Sequence, residues 1–224
     1  MPVYTSAMAA QVVCIAKTDG ALGEEIGHLA AERLGFRYVD EQVIEHAAHL
    51  AQVDPKLVAA VEQRQPLLQK LIGKLAAARD LVGPASLGAP AFAGLSHRET
   101  SQVTSDDLRM LIQAAIHEIA CGGGAVIVAH AASITLAKRD DTVRVLVTAS
   151  PETRARRLAA ARGITSDEAT TAIAAADRNR QDYFKRFHGI AEELPTHYDV
   201  VINTDVLAPA HAAELIVCAA RAGA

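Results

Sequence analysis

The stretch that decides the fold lies near the amino terminus, where residues 12–27 read VVCIAKTDGALGEEIG. It begins with an unbroken apolar run, Val12 to Ala16, of the kind that forms a strand buried on both faces. A turn containing Gly20 and Gly23 follows, and an amphipathic helical pattern begins directly after it. Strand, glycine-containing turn and helix in immediate succession predict one unit of a parallel α/β sheet.

The turn itself has the layout of a phosphate-binding loop. Such loops aim successive backbone N–H groups, backed by the positive end of a helix, at the phosphates of a nucleotide. The candidate nucleotide-binding residues are Lys17, Gly20, Ala21 and Gly23. The signature G-x-x-x-x-G-K-[ST] is incomplete, however, because Glu24 and Glu25 stand where a lysine and a hydroxyl residue would follow the last glycine.

Two features of the loop work against phosphate binding. Carboxylates at the start of a helix complement the helix dipole themselves and repel an incoming phosphate. Loops of this kind often need a positive φ, which costs a residue with a β-carbon, here Leu22, roughly 1–2 kcal/mol. We therefore expect the loop to follow another path, with Lys17 still available to a nucleotide or with the loop closed onto Glu24.

The rest of the chain continues the alternation of strand and helix. Further strands are predicted at Arg37 to Asp40, Ala125 to Ala129, Val143 to Thr148 and Val200 to Asn203. Helices are predicted at Gly23 to Leu34, Glu41 to Ala51, Pro55 to Leu81, Ser105 to Ala120, Pro151 to Arg162, Ser166 to Phe187 and Ala208 to Arg221, with stops at Gly35 and Gly163 and with Pro151 in a first turn. This pattern predicts a three-layer α/β/α fold around a five-stranded parallel sheet.

We expect one domain over residues 1–224. Its core comprises about 11–40 and 105–224, and residues 41–104 form a helical insertion on the acceptor side. Within the insertion, Gly83 to Thr104 shows no periodicity; it is a substrate-side flap, an oligomer contact or a plain connector.

Composition narrows the class of protein. Half of the residues are apolar and 21% are charged, which is typical of a folded domain and not of a disordered chain. A net charge of −4 argues against a nucleic-acid partner. No long apolar span or signal-peptide pattern occurs, which predicts a cytoplasmic protein without a membrane partner. The three cysteines, Cys14, Cys121 and Cys218, lie far apart in apolar surroundings and are predicted to be buried.

Ordered blocks along the chain carry a family resemblance. They read CIAK at 14–17, GALGEEIG at 20–27, GFRYVD at 35–40, GAVIVAHAA at 124–132, ASPETRARRL at 149–158, DRNRQDYF at 177–184 and YDVVINT at 198–204. Together they resemble the cytidylate kinase-like family, a nucleoside monophosphate kinase branch of the P-loop fold, over roughly residues 12–216. The departures are Ala16, Leu22, Glu24 and His130, so the phosphate loop is degenerate.

The resemblance implies ATP-dependent phosphoryl transfer to a nucleoside monophosphate, with Mg²⁺ bridging the donor phosphates. Asp19 and Asp140 are candidates for holding Mg²⁺ by analogy of position only; a turn-forming role is favoured for both, and no residue is assigned as a metal ligand. It assigns catalytic roles to Arg154, Arg157 and Arg180, and substrate binding to Asp40, His130 and Arg178. Arg154 and Arg157 lie one turn apart on one helix face, whereas Arg178 and Arg180 differ by about 200° in direction. Of that second pair, Arg180 is the favoured phosphate ligand.

Simpler roles and a different class of function stay open. Asp40 could instead cap the helix that follows it, and a histidine at position 130 would supply only a pH-dependent charge. The arginines could lie on a solvated helix surface. The main alternative to a kinase is a catalytically impaired module that senses a ligand or binds a protein, and a homodimer is left open.

Overall fold

A computed structural model describes residues 9–40, 42–51, 105–128 and 131–222 of the 224-residue chain. The strands are β1 (Val12–Lys17), β2 (Arg37–Val39), β3 (Ala125–Val128), β4 (Thr142–Thr148) and β5 (Val200–Asn203). The helices are α1 (Gly23–Leu34), α2 (Gln42–Ala51), α3 (Ser105–Cys121), α4 (Ala132–Thr135), α5 (Pro151–Arg162), α6 (Ser166–His188) and α7 (Pro209–Ala222), with a 3-10 turn at Pro195–His197.

The strands form one parallel sheet in the order β2-β3-β1-β4-β5. Strand β1 is central, with Cys14 opposite Ile127 of β3 on one side and Arg144 of β4 on the other. Its first five residues are fully buried, as expected of a strand covered on both faces. The predicted five-stranded parallel sheet is confirmed.

Helices cover the sheet on both faces and give it two apolar cores. Alternate residues of β1 divide between them: Val12 and Cys14 pack with α2 and α3, whereas Val13 and Ile15 pack with α1 and α7. Helices α5 and α6 pack together through a third, smaller cluster that includes Leu158 and Ile173. These two helices stand beside the carboxyl ends of β4 and β5, where they can cover a site.

Sequence periodicity located the predicted elements that the structure describes to within one residue at each end, whereas the short helix α4 and the 3-10 turn at Pro195–His197 were not predicted. Gly35 and Gly163 end helices in the left-handed conformation, and Pro151 opens α5, as predicted. The predicted helix at 55–81 and the irregular stretch at 83–104 lie outside the described residues, so the proposed insertion stays a prediction.

The prediction for the cysteines is correct for one of them. Cys14 is fully buried in β1, but Cys121 and Cys218 are exposed. Cys121 is the last residue of α3, where the helix leaves the core, and Cys218 lies on the outer face of α7. An apolar sequence neighbourhood did not imply burial, because a helix alternates buried and exposed positions within each turn.

No helix in the described part of the chain is long and apolar enough to cross a membrane.

Candidate functional site

The candidate site lies between the two strands from which the chain continues to opposite edges of the sheet. From β1 the chain turns towards β2, and from β4 it turns towards β5, so the carboxyl ends of β1 and β4 form a topological switch point. In open parallel sheets, ligands bind in the crevice at such a point. Thr18 follows β1 and Thr148 ends β4, and their hydroxyl oxygens lie 3.4 Å apart across this crevice.

The loop between β1 and α1 contains two residues in the left-handed conformation. Gly20 has φ 78° and Leu22 has φ 66°, ψ 24°. The expectation that the loop avoids this conformation at Leu22 is therefore wrong. The surrounding contacts impose the positive φ on leucine at a cost of roughly 1–2 kcal/mol.

Both loop glycines are required by close packing. A β-carbon on Gly20 would lie 2.8 Å from the carbonyl oxygen of Arg154, and one on Gly23 would lie 2.5 Å from Cβ of Lys17. Both distances are shorter than real contacts of a β-carbon. The loop is therefore pressed between the end of its own strand and the first turn of α5.

Three backbone amides of the loop have no backbone partner among the described residues. Within the described part of the chain, the amides of Gly20, Leu22 and Gly23 make no backbone hydrogen bond, whereas Ala21 N donates to Thr18 O at 3.0 Å. A left-handed residue followed by a helical one directs successive N–H groups to the same side, which forms an anion-binding concavity. Leu22 followed by Gly23 at the start of α1 has this arrangement, and the helix dipole adds to it.

Arg157 on α5 contacts the loop and not the cleft in front of it. Its Nη1 donates to Gly20 O (3.3 Å) and to Thr204 Oγ1 (3.0 Å), and its Nη2 donates to Thr204 O (2.6 Å). The Thr204 hydroxyl, just beyond β5, lies 3.1 Å from Ala21 O. The side chain predicted to clasp a phosphate thus connects the loop to the end of β5.

Arg154 lines the cleft beside the loop. This cleft, of about 220 Å³, is lined by Thr18, Arg154, Asp177, Arg180, Gln181, Phe184, Ile190, Ala191 and Glu193. Arg154 is 4% exposed, and its two terminal nitrogens donate to the two carboxylate oxygens of Asp177 at 2.8 and 2.6 Å. The structure places Arg154 beside the loop, and its charge is balanced within the protein.

Arg180 reaches the same cleft from α6. Its Nε and Nη2 donate to the carboxylate of Glu193 at 2.7 Å each, and its Nη1 donates to Lys17 O at 3.1 Å. The hydroxyl of Tyr198 also donates to Glu193. Burial by itself would raise the pKa of Glu193, but the hydrogen bonds and charge of Arg180 outweigh it and hold that pKa below its ordinary value.

Lys17, like Arg154 and Arg180, forms an ion pair with a carboxylate of the same protein. Its ammonium group forms an ion pair with Glu24, the exposed carboxylate in the first turn of α1. Lys17, Arg154 and Arg180 are thus each matched with one carboxylate. An anionic ligand that enters the cleft must compete with these carboxylates for the same donors.

The remaining predicted residues lie elsewhere. Arg178 is exposed on α6 and does not line the cleft, which agrees with its direction relative to Arg180. Asp40 follows β2: its carbonyl accepts from Val43 N at 3.0 Å, and its carboxylate accepts from the Tyr38 hydroxyl at 3.4 Å. His130 lies outside the described residues.

Sequence reasoning missed Asp177, Glu193 and Thr204. Asp177, Arg180, Gln181 and Phe184 recur at helical spacing along α6 and share the face that lines the cleft. That spacing could have identified Asp177. Glu193 and Thr204 lie after helix and strand ends, and no periodicity marks them.

The residues fit a polyphosphate better than a protein-bound metal. Unengaged amides and two arginines suit phosphate oxygens. Among the described residues no group of three or more histidine, cysteine, aspartate or glutamate side chains could hold a metal ion. Mg²⁺ keeps several waters and needs only one or two carboxylates besides phosphates. The residues that line the cleft and carry side-chain oxygen atoms are Thr18, Asp177, Gln181 and Glu193.

Comparisons with known proteins agree with this architecture. The chain resembles the crystal structure of a protein from Eubacterium ventriosum at 12% identity and a TM-score of 0.59, with 92% of this chain and 96% of that one covered. It also aligns with shikimate kinases from Bacteroides thetaiotaomicron (16% identity, 94% and 95% covered, TM-score 0.47) and Acinetobacter baumannii, in complex with shikimate (11%, 93% and 91%, 0.48). At 12% identity, the likeness to the Eubacterium ventriosum protein is one of fold.

Sequence similarity identifies the family. No curated protein matches the chain. The model of the cytidylate kinase-like family matches residues 12–206, from the first residue of β1 to just beyond β5. Because that match spans the whole sheet and every element of the cleft, the chain is a kinase-like protein that belongs to the cytidylate kinase-like family.

Proposed function

We propose that this protein is an ATP-dependent phosphotransferase whose acceptor is a nucleoside monophosphate. The phosphates of the donor would lie against the amides of Leu22 and Gly23, with Arg154 and Arg180 across the cleft. Phosphoryl transfer requires positioning and positive charge more than covalent chemistry, and these groups supply both. Mg²⁺, carried by the nucleotide, would neutralise charge that develops on the transferring group.

One observation carries the proposal: Thr18, Arg154 and Arg180 line a single cleft at the switch point of the sheet, beside a loop with three amides that make no backbone hydrogen bond in the part of the chain that the structure describes. Arg154 is brought there by α5, Arg180 by α6, and Thr18 by the turn after β1. Three separate elements that present donors to one crevice are typical of a site for an anion.

A second candidate is a ligand-sensing module without catalysis. It is favoured by the internal pairing of Lys17, Arg154 and Arg180, which leaves the cleft without an uncompensated cation among these three. Such a protein would bind a nucleotide and would not turn it over. The acceptor, the donor and the cytoplasmic location are parts of the proposal.

The test measures ADP release with ATP, Mg²⁺ and each of CMP, UMP and dCMP. Arg154→Ala should lower the turnover of the accepted monophosphate roughly 100-fold, because a preorganised donor is lost. Arg156→Ala, an exposed change on the same helix, should leave it unchanged. Turnover no higher than in Arg154→Ala would refute the kinase. Mg²⁺-dependent binding of ATP without turnover would then identify the sensing module.

A further inference from the structure

The connection between α5 and the loop is made by two side chains, Arg157 and Thr204, which we call the loop clamp. Arg157 holds Gly20 O and both oxygens of Thr204, and the Thr204 hydroxyl lies within hydrogen-bond distance of Ala21 O and of Thr148 O (3.2 Å). Thr204 is 1% exposed. The clamp therefore holds two successive loop carbonyls against the end of the sheet from a buried position.

The direction of the Ala21 carbonyl determines the direction of the Leu22 amide. The C=O of Ala21 and the N–H of Leu22 belong to one planar trans peptide unit and point in opposite directions. While Thr204 holds Ala21 O, the N–H of Leu22 must point away from Thr204. A loop free to rotate this peptide unit would lose the amide from the concavity that Leu22 and Gly23 form.

The clamp also accounts for the conformation of Leu22. A leucine leaves the left-handed region unless its surroundings impose it. The contacts on the preceding carbonyl fix the peptide unit that Leu22 would have to rotate in order to relax. The loop lacks the glycine and the lysine of the standard signature, and side chains outside the loop hold its shape instead.

We infer that Arg157 and Thr204 are positioning residues, which keep the amides of the loop aimed at the phosphates, and that Arg157 is not itself a phosphate ligand. This inference rests on the proposed function. It separates Arg157 from Arg154 and Arg180, whose side chains line the cleft.

The experiment compares Thr204→Val, Thr204→Ser and Arg157→Lys with two controls, Thr170→Val and Arg156→Lys, which make the same changes at exposed positions. Affinity for magnesium-ATP and for inorganic tripolyphosphate is measured by calorimetry. Thr204→Val and Arg157→Lys should each raise Kd about fivefold or more, the worth of a typical hydrogen bond. Thr204→Ser should bind within about twofold of wild type, since it keeps the hydroxyl.

Thr204→Val is the decisive variant, because it removes no charge and no group that could contact a phosphate. If Arg157 bound phosphate directly, Arg157→Lys would weaken binding and Thr204→Val would not, and that result would overturn the inference. So would a Thr204→Val protein whose Kd rises only in proportion to its unfolded fraction, measured by thermal denaturation in the same buffer.

Hydrogen exchange of the loop amides gives a readout without any ligand. The clamp predicts faster exchange at Ala21, whose amide donates to Thr18 O, in Thr204→Val than in Thr170→Val. Unchanged exchange would overturn the clamp even in a protein that binds ATP. Faster exchange in a protein that binds neither probe would support the clamp and refute the proposed function.

Discussion

The loop after β1 and the helix α6 face the same cleft, but their relation to the family pattern is opposite. The loop lacks residues of the phosphate-binding signature, but it has Gly20 and Leu22 at positive φ and three amides without a backbone partner within the described ranges. Helix α6 carries Arg180, the arginine that the family resemblance favours as a phosphate ligand, but that arginine is bound to a carboxylate of the same protein. The loop thus resembles a phosphate-binding loop in backbone conformation, whereas helix α6 resembles the family in the identity of a residue.

The difference teaches that backbone and side-chain parts of an anion site are maintained by different forces. The loop's shape depends on packing, since α5 lies against Gly20 and the loop clamp holds the carbonyls. The charge of the cleft depends on ion pairs, which a single substitution can change without altering the fold. Substitutions that add side-chain volume in the loop should therefore lower the stability of the fold. Substitutions that change the charge on the α6 side of the cleft should mainly alter the affinity for anions.

The largest effect is expected for Gly20→Ala. The new β-carbon would meet the backbone of Arg154 at 2.8 Å, and the residue would have to keep φ 78°. Strain and overpacking add, so the free energy of unfolding should fall by roughly 2–4 kcal/mol, measured by urea denaturation.

Gly35→Ala is the matched control for this change. Gly35 has a similar φ of 69° at the end of α1, but a β-carbon added there would have nothing within 4 Å. The free energy of unfolding of Gly35→Ala should fall only by the cost of the positive φ, roughly 1–2 kcal/mol. Equal losses in the two variants would show that α5 does not press on the loop.

The fold could be predicted from the sequence more fully than the site, and the reason is physical. Burial on both faces forces a strand such as β1 to be apolar throughout, so its position can be read from composition alone. The contact of Arg180 with Glu193 joins residues on either side of a helix end, where no period applies. The positive φ at Leu22 was not predictable from the sequence, because leucine disfavours it and the contacts that we infer to hold it come from α5 and from the residue just beyond β5.

The next effect concerns the charge of the cleft. Glu193→Gln removes the carboxylate that competes for Arg180, so affinity for tripolyphosphate should rise about fivefold while stability falls by about 1 kcal/mol. Glu192→Gln makes the same change at the exposed neighbouring position and should alter neither quantity. Calorimetry and urea denaturation measure the two effects. Weaker binding in Glu193→Gln would mean that Glu193 orders Arg180 for the ligand.

The pH dependence of stability tests the same pair. Arg180 holds the pKa of Glu193 below the ordinary value of about 4.3. The pair therefore stabilises the fold above about pH 4.3, and this contribution is lost as the pH falls through the lower pKa of the folded state. The stability difference between wild type and Glu193→Gln should be constant from about pH 5 to 7 and should shrink below about pH 4.

The smallest effect is expected at the start of α1. Lys17 pairs with Glu24, which is 58% exposed, and exposed pairs contribute little, so Glu24→Gln should change stability by less than about 0.5 kcal/mol. It frees the ammonium group of Lys17 and removes a negative charge beside the loop, so affinity for magnesium-ATP should rise about two- to threefold at low salt. Glu25→Gln removes the same charge from the next residue, which is also exposed. If the two variants gain equally, the loss of acidic charge near the loop explains the effect, and Lys17 does not reach the ligand.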